Sequence, residues 1–177
     1  VRTAKVVICG KGVYTNSLTK TFTIRPETMA SAVITGCKAK YSYTGKQVKP
    51  LIQVVWNGKI LRNNTDYTLL YKNNKKRGSA GIVVTGKGNY SGTLAASFTI
   101  VRASVKKASV TGLKAVYART GKAVKPKVTV KLGGKKLKKK RDYILSYRKN
   151  KKKGTALLYV KGVGNYSGTK KMKFKIR

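Results

Sequence analysis

The sequence contains no histidine and only three carboxylate side chains among 177 residues. General acid–base catalysis relies on such groups, so the chain has almost no material for it. Metal sites need clusters of acids, histidines or cysteines, and the sequence holds none. Two of the three acids, Asp66 and Asp142, occupy equivalent places in the repeat described below and cannot form a catalytic pair within one repeat. The sequence therefore predicts a protein that is not an enzyme and has no cofactor or metal, in which these aspartates accept hydrogen bonds in a turn or pair with lysine.

Cysteine and long apolar runs are also scarce. The two cysteines, Cys9 and Cys37, align within the repeat with Thr85 and Leu113, so they belong to no repeated disulfide framework and are predicted to be free thiols. No stretch is long and apolar enough to span a bilayer, which predicts no membrane insertion. The chain begins without a charged-then-apolar leader, but Val1 is not a natural start residue, so we expect a fragment of a longer protein.

An internal repeat organises the chain. Residues 25–100 align without a gap with the 76 residues that follow them, with 35 identities. The longest identical run is Gly-Asn-Tyr-Ser-Gly-Thr, at residues 88–93 and 164–169. The alignment predicts three segments: residues 1–24 as the C-terminal strands of a preceding repeat, residues 25–100 as a complete repeat, and residues 101–177 as a second, strongly basic one.

Apolar and polar residues alternate in short runs throughout each repeat. In the last repeat Met172, Phe174 and Ile176 alternate with lysines, which places the apolar set inward and the lysines outward. Asn57-Gly58 and Gly133-Gly134 are turn dipeptides that separate such runs. About seven short antiparallel strands per repeat favour an all-β fold, namely tandem immunoglobulin-like β-sandwich repeats of about 76 residues.

A common set of motifs marks each repeat. In residues 25–100 it comprises Tyr41, Thr44-Gly45-Lys46, Lys49-Pro50, Asn57-Gly58-Lys59, Asp66-Tyr67, Tyr71 and the run from Gly86 to Thr93. This set resembles the bacterial immunoglobulin-like tandem repeats of large secreted and cell-surface proteins of Gram-positive bacteria, and the resemblance covers the whole chain. It implies an extracellular or cell-surface, cell-wall-associated location and a role as a stalk or adhesive module of a surface adhesin. The strong positive charge of this chain departs from the pattern of that family, and it argues against a purely structural role.

Positive charge is extreme and unevenly distributed. The formal net charge is +39, from 42 Lys and Arg against three acids. Residues 25–100 carry 12 Lys and Arg with two acids, whereas residues 101–177 carry 26 with one acid. The apolar pattern is kept while polar positions become basic: Asn63, Asn64 and Thr65 align with Lys139, Lys140 and Arg141. An excess of this size is typical of proteins that meet phosphate, sulfate or carboxylate polymers.

The basic residues of the last repeat are predicted to form one surface. Successive antiparallel strands place loops at alternate ends, so loop 133–141 should lie beside loop 162–168, and loop 148–154 beside the turn at Arg119–Lys122. The outward lysines of the final strand would join the two ends into a stripe. The predicted polyanion-binding residues are Lys135, Lys136, Lys138, Lys139, Lys140, Arg141, Arg148, Lys149, Lys151, Lys152, Lys153, Lys171, Lys173 and Lys175.

Lysine outnumbers arginine by 33 to 9, which favours diffuse attraction over base-specific reading. We therefore expect a non-enzymatic extracellular region that binds teichoic acid, extracellular DNA or RNA, or a sulfated glycan by counterion release, with the neighbouring repeats of the chain as its other partners. Two alternatives stay open: a passive structural stalk or spacer, and a dedicated nucleic-acid-binding protein. Tyr159 and Leu157 face outward by parity, where they either stack on a ligand or pack against a neighbouring domain.

Overall fold

A computed structural model of the chain describes residues 2–177, and almost all of its regular structure is β-strand. Residues 2–24 form β1 (Arg2–Cys9) and β2 (Ser17–Ile24). The next nine strands are β3 (Glu27–Thr28), β4 (Val33–Thr35), β5 (Lys40–Ser42), β6 (Gln53–Trp56), β7 (Lys59–Leu61), β8 (Tyr67–Lys72), β9 (Gly78–Gly86), β10 (Tyr90–Ser91) and β11 (Thr93–Val101).

The remaining elements follow at an offset close to 76 residues. One short 3-10 helix spans Val105–Lys107, and among the described residues no helix is long and apolar enough to cross a membrane. The last nine strands are β12 (Ala103–Ser104), β13 (Ser109–Thr111), β14 (Val116–Tyr117), β15 (Thr129–Leu132), β16 (Lys135–Lys136), β17 (Tyr143–Arg148), β18 (Gly154–Gly162), β19 (Tyr166–Ser167) and β20 (Thr169–Ile176).

The predicted all-β class is confirmed, while the predicted number of strands is too low. Nine strands, not about seven, occupy the stretch from Glu27 to Val101. The extra strands are two-residue pairs such as β3 with β10, which run in parallel. A pair of residues is too short to show the period-two alternation from which strands are predicted.

The described residues divide into two compact units. The first contains the described residues up to Lys38, together with Pro50–Lys72 and Gly81–Ser97. It holds the antiparallel sheet β4-β6-β7 and the antiparallel pairing of β8 with β9. Met29, Val54 and Ile82 are fully buried within this unit.

The second unit contains Ala39–Lys49, Asn73–Ala80 and Phe98–Arg177, and therefore all of the strongly basic segment. Its main sheets are β14-β20-β18-β17 and β13-β15-β16. Both sheets contribute side chains to one core. The buried members of that core are Ala103, Val105, Ala108, Val130, Leu137, Tyr143, Ala156, Leu158, Val160, Tyr166, Phe174 and Ile176.

The expectation that all strands pair antiparallel is wrong at one edge of the large sheet. β14 runs parallel to β20, with Val116 opposite Lys175 and Tyr117 opposite Ile176. The pairing of β5 with β11 is also parallel. In each case the two strands are separated by most of a repeat, and so long a connection lets the chain return in the same direction.

The segment predicted as loop 133–141 is partly a strand. β16 pairs with β15 in an antiparallel hairpin closed by Gly133 and Gly134, whose φ angles are +53° and +75°. Positive φ at both central residues belongs to the tight turn that suits the twist of a hairpin, and glycine adopts it without strain. The irregular part of the segment therefore starts after Lys136.

β1 and β2 form an antiparallel hairpin in the register of the β18–β20 pair. Arg2 lies opposite Ile24, as Gly154 lies opposite Ile176. Every residue of the two strands except Ala4 is exposed. The hairpin of residues 2–24 thus pairs in the same way as β18 and β20.

Candidate polyanion interface

Every residue in the predicted polyanion-binding set is solvent-exposed. On β20 the alternation is as expected, since Phe174 and Ile176 are buried while Lys173 and Lys175 are exposed. The predicted residues fall into three groups. We call Lys171, Lys173 and Lys175 the outer-strand lysines, Lys135, Lys136, Lys138, Lys139, Lys140 and Arg141 the turn cluster, and Arg148, Lys149, Lys151, Lys152 and Lys153 the loop cluster.

The outer-strand lysines form a regular row. Residues two apart on a strand point to the same face and lie about 6.8 Å apart. Across the sheet, Lys171 faces Tyr159 and Lys173 faces Leu157 on β18. The row therefore runs along the outer face of the four-stranded sheet, between its two ends.

The turn cluster lies beside the loop that follows β18, as expected. The backbone N–H of Val163 donates a hydrogen bond to the carbonyl oxygen of Asp142 at 3.0 Å. Asp142 itself is buried, and its carboxylate oxygen Oδ2 accepts from the backbone N–H of Lys138 at 2.8 Å. This confirms that Asp142 accepts a hydrogen bond in the turn before a strand. Asp66 does the same with the N–H of Arg62 at 2.8 Å.

One member of the turn cluster already has an anionic partner. Arg141 donates from Nε to Oδ1 of Asp142 and from Nη2 to Oδ2, each at 2.9 Å. This hydrogen-bonded guanidinium lowers the pKa of the Asp142 carboxyl below its usual range, against the opposing effect of burial. The ion partner of Asp142 is therefore arginine, not the predicted lysine, and Arg141 stabilises the turn as well as adding charge.

Two basic residues have left-handed backbone conformations. Lys140 has φ +70° and Lys149 has φ +54°. Their aligned residues are Asn64, at φ +68°, and Asn73, at φ +54°. Asparagine tolerates this region because its short side chain can hydrogen-bond locally, whereas a lysine there strains the backbone. The basic repeat therefore has lysine where the backbone favours asparagine.

The loop cluster is fixed to the segment that follows the Arg119–Lys122 turn. The backbone N–H of Val124 donates to the carbonyl oxygen of Asn150 at 2.7 Å, and the Asn150 side-chain amide donates to the carbonyl oxygen of Val124 at 2.8 Å. The loop encloses a concavity of about 500 Å³ whose walls include Lys151, Lys152 and Lys153. Anchored in this way, the loop presents its lysines at a defined place.

An aromatic ring lies among the charges of the outer face. The guanidinium carbon of Arg148 is 5.9 Å from the ring centroid of Tyr159, a cation–π distance. Ser146, Lys161 and Thr169 complete a shallow depression of about 220 Å³ around them. Tyr159 is half-buried here, so part of its ring remains open to solvent.

Sequence reasoning did not single out some lysines that matter to the surface. Lys125 and Lys127 lie next to the turn cluster. Lys127 aligns with Leu51, and this gain of charge could have identified it from the sequence. Lys170 is different, because its Nζ donates to the carbonyl oxygen of Ala108 at 2.6 Å and is half-buried. Its location predicts a structural role.

The described residues contain no group of three or more His, Cys, Asp or Glu side chains that could hold a metal ion. Cys9 and Cys37 are free thiols. Comparison of the chain with protein-family models, curated proteins and solved structures finds no match.

Proposed function

We propose that this chain is a non-enzymatic region of tandem immunoglobulin-like sandwich repeats from an extracellular, cell-wall-associated protein, and that residues 101–177 bind anionic polymers. Candidate polymers are teichoic acid, extracellular DNA or RNA, and sulfated glycans. The observation that carries the proposal is that every basic residue of the turn cluster, the loop cluster and the outer-strand lysines is exposed to solvent.

This surface has almost no internal counter-charge. Residues 101–177 contain 26 Lys and Arg but only one acid, Asp142. That acid is held by Arg141 and buried, so it does little for the other cations. Their charges must be balanced by ions from solution, and a polymer that replaces those ions gains affinity from their release.

The left-handed lysines support selection for charge. A lysine in this region costs of the order of 1 kcal/mol, and the cost is smaller for asparagine, which adopts this conformation more readily. Asn64 and Asn73 show that a better-suited residue is accommodated at the aligned positions. The presence of lysine at positions 140 and 149 therefore supports a functional reason for the charge. A passive spacer would gain nothing from the added positive charge.

The lysine chemistry favours a diffuse mode of binding. Lysine is a mobile point charge without the fixed fork that arginine offers to phosphate or guanine. Lysine predominates in all three groups of the surface. We therefore propose attraction to the backbone of the polymer, with little preference between sequences.

A structural stalk is the second candidate, favoured by a packed contact in the second unit. The rings of Tyr43 and Tyr166 meet edge to face at 5.8 Å, and Arg77 donates from Nη1 to the carbonyl oxygen of Gly164 at 3.3 Å. Tyr43 and Arg77 belong to the predicted first complete repeat, and the other two residues to the second. Contacts of this kind between successive repeats suit a spacer, and they are compatible with polymer binding.

The test is binding of the full chain to duplex DNA, teichoic acid and heparin over a salt series. If about 6–10 phosphates are neutralised, affinity for DNA should fall about 10³–10⁵-fold between about 50 and 200 mM salt. A variant with Lys171→Ala, Lys173→Ser and Lys175→Thr, the residues of the aligned strand, should bind more weakly. A control variant that lacks the charges of Lys5, Lys11 and Lys20 has the same net charge as the first variant. The control should bind the polymers like the parent chain.

The possible outcomes separate the candidates. Weak binding at every salt concentration, or a flat salt response, would leave the stalk as the better account. A strong preference for one short DNA site would instead indicate a dedicated nucleic-acid-binding protein. Equal losses in the two triple variants would show that net charge, not this surface, governs binding.

A further inference from the structure

An open cleft lies between the two sheets of the basic repeat, beside strands β16 and β17. Each of these is an edge strand of its sheet, so the gap between the sheets opens along this side. The cleft has a volume of about 820 Å³. Small-molecule sites typically measure about 300–1,000 Å³.

The floor of the cleft is apolar. Leu137 and Tyr143 are buried and contribute to the core, and Leu145 and Val128 are half-buried. Burial in the core raises the pKa of the Tyr143 hydroxyl. An alkyl chain placed on these side chains would be removed from water, which is favourable in proportion to the apolar area covered.

One hydrogen bond joins two lining residues of the cleft. The hydroxyl of Tyr147, on β17, donates to the carbonyl oxygen of Pro126, in the segment before β15, at 2.7 Å. This bond fixes the spacing of the two walls at that point.

Lysines surround this apolar floor. The rim is formed by Lys125, Lys127, Lys136, Lys138 and Lys139, all of them exposed. The aligned positions in residues 25–100 keep the apolar floor, since Leu61 and Tyr67 align with Leu137 and Tyr143. Three rim positions differ, because Lys127, Lys136 and Lys139 align with Leu51, Ile60 and Asn63.

We propose that the cleft binds a single-chain anionic amphiphile, with its alkyl chain between the sheets and its phosphate or carboxylate headgroup among the rim lysines. The positive charge of the rim favours an anionic headgroup, and the apolar floor favours an alkyl tail. This inference goes beyond the proposed function and does not rest on it, because a single headgroup, not a polymer, is bound.

The test uses the full chain and dodecyl phosphate below its micelle-forming concentration, with binding measured by calorimetry. Each methylene that is buried should tighten binding by about fourfold, so octyl, decyl and dodecyl phosphates should form a graded series. Inorganic phosphate, which has no tail, and dodecyl maltoside, which has no charge, should each bind at least about tenfold more weakly than dodecyl phosphate.

Matched triple variants locate the site. Lys127→Leu, Lys136→Ile and Lys139→Asn introduce the aligned residues of 25–100 and should weaken dodecyl phosphate binding by about tenfold or more. Lys171→Ala, Lys173→Ser and Lys175→Thr remove the same charge from the outer strand and should change it by less than about twofold. Leu145→Trp, which fills the cleft, should abolish the dependence on chain length while leaving polyanion binding intact.

Several results would overturn the proposal. These are equal affinity for octyl and dodecyl phosphates, equal losses in the two triple variants, and displacement of dodecyl phosphate by an acidic peptide with no alkyl group. The chain-length series needs no substitution, so it decides even if a variant fails to fold. Failure of polyanion binding in the salt series would leave these measurements unaffected, which separates the two proposals.

Discussion

At Lys140 and Lys149 the backbone conformation favours asparagine, while lysine adds positive charge to the surface. Both have positive φ, where asparagine is better accommodated than lysine. We expect Lys140→Asn and Lys149→Asn to raise the free energy of unfolding by less than about 1 kcal/mol each, because asparagine keeps part of the cost of a positive φ. Affinity for duplex DNA at low salt should fall in the same variants, because each loses a cation from the proposed surface. Denaturant titration and a binding isotherm measure the two effects.

Lys139→Asn is the matched control for this pair. It makes the same chemical change in the turn that contains Lys140, but Lys139 is not among the residues with positive φ. Its affinity should fall without a comparable gain in stability. A similar gain in Lys139→Asn would mean that relief of charge repulsion, not backbone strain, stabilises all three variants.

The Asp142 carboxyl links stability to acid pH. The hydrogen bond from Arg141 lowers its pKa in the folded chain, so folding favours the ionised form. This contribution is present above the unfolded pKa of about 3.9 and is lost as the pH falls through the lower folded pKa. We therefore expect Asp142→Asn to reduce the melting temperature near neutral pH and to flatten its decline below about pH 4.

Glu27→Gln supplies the comparison, since it removes an exposed carboxylate of equal charge. Melting curves of both variants and the parent over an acid pH series make the measurement. If the melting temperature of Asp142→Asn falls as steeply in acid as that of the parent, the pair of Arg141 and Asp142 makes no pH-dependent contribution to stability.

At the scale of elements, alternation predicted the strands that are long enough to display it. β20 was identified from Met172, Phe174 and Ile176, and its inward and outward faces follow that pattern. The parallel pairing of β14 with β20 was missed because parity gives the face of a strand but not its neighbour. The sequence predicts loop in place of β16, because Lys135 and Lys136 show no alternation of apolar and polar residues.

The candidate site was predictable to a similar extent. Exposure of the lysines followed from parity and from the alignment with residues 25–100. The bond between Arg141 and Asp142 and the stack of Arg148 on Tyr159 depend on side-chain packing, which the pattern does not encode. The cleft was missed for the same reason, because its floor residues alternate like any buried set while its opening depends on which strands lie at the edges.

The hairpin β1–β2 carries an uncovered apolar face. Phe22 is 50% exposed, whereas the aligned Phe98 and Phe174 are each 2% exposed. We expect Phe174→Ala to cost about 3–5 kcal/mol of unfolding free energy, and Phe22→Ala to change it by less than about 0.5 kcal/mol. An isolated two-stranded hairpin is marginal in water, so amide exchange should be fast through residues 2–24 and slow in β18.

Denaturant unfolding and hydrogen exchange of the full chain test this expectation. The two substitutions are chemically identical and lie at aligned positions, so they differ only in what surrounds the ring. A loss for Phe22→Ala as large as that for Phe174→Ala, with slow exchange in β1, would show that another segment or a second copy covers the face in solution.

The charge of the whole molecule gives salt two opposite effects. With 42 Lys and Arg against three acids, the folded chain brings like charges together, and this repulsion opposes folding. Added salt shortens the screening length from about 30 Å at about 0.01 M to about 8 Å at about 0.15 M, which weakens repulsion between exposed lysines. The same salt should weaken the proposed polymer binding, because the counterions released on binding would enter a more concentrated solution.

We therefore expect the melting temperature to rise with salt over the range in which affinity for DNA falls. A gain of about 1–2 kcal/mol would raise it by about 2–8 °C for a chain of this size. The variant with Lys171→Ala, Lys173→Ser and Lys175→Thr should start from a higher melting temperature at low salt and rise less, because it has fewer charges to screen. Sucrose, which strengthens apolar burial without screening charge, should stabilise the parent and the variant equally. A melting temperature independent of salt in the parent, or equal salt responses in parent and variant, would contradict the expectation. In that case repulsion between the exposed lysines does not oppose folding.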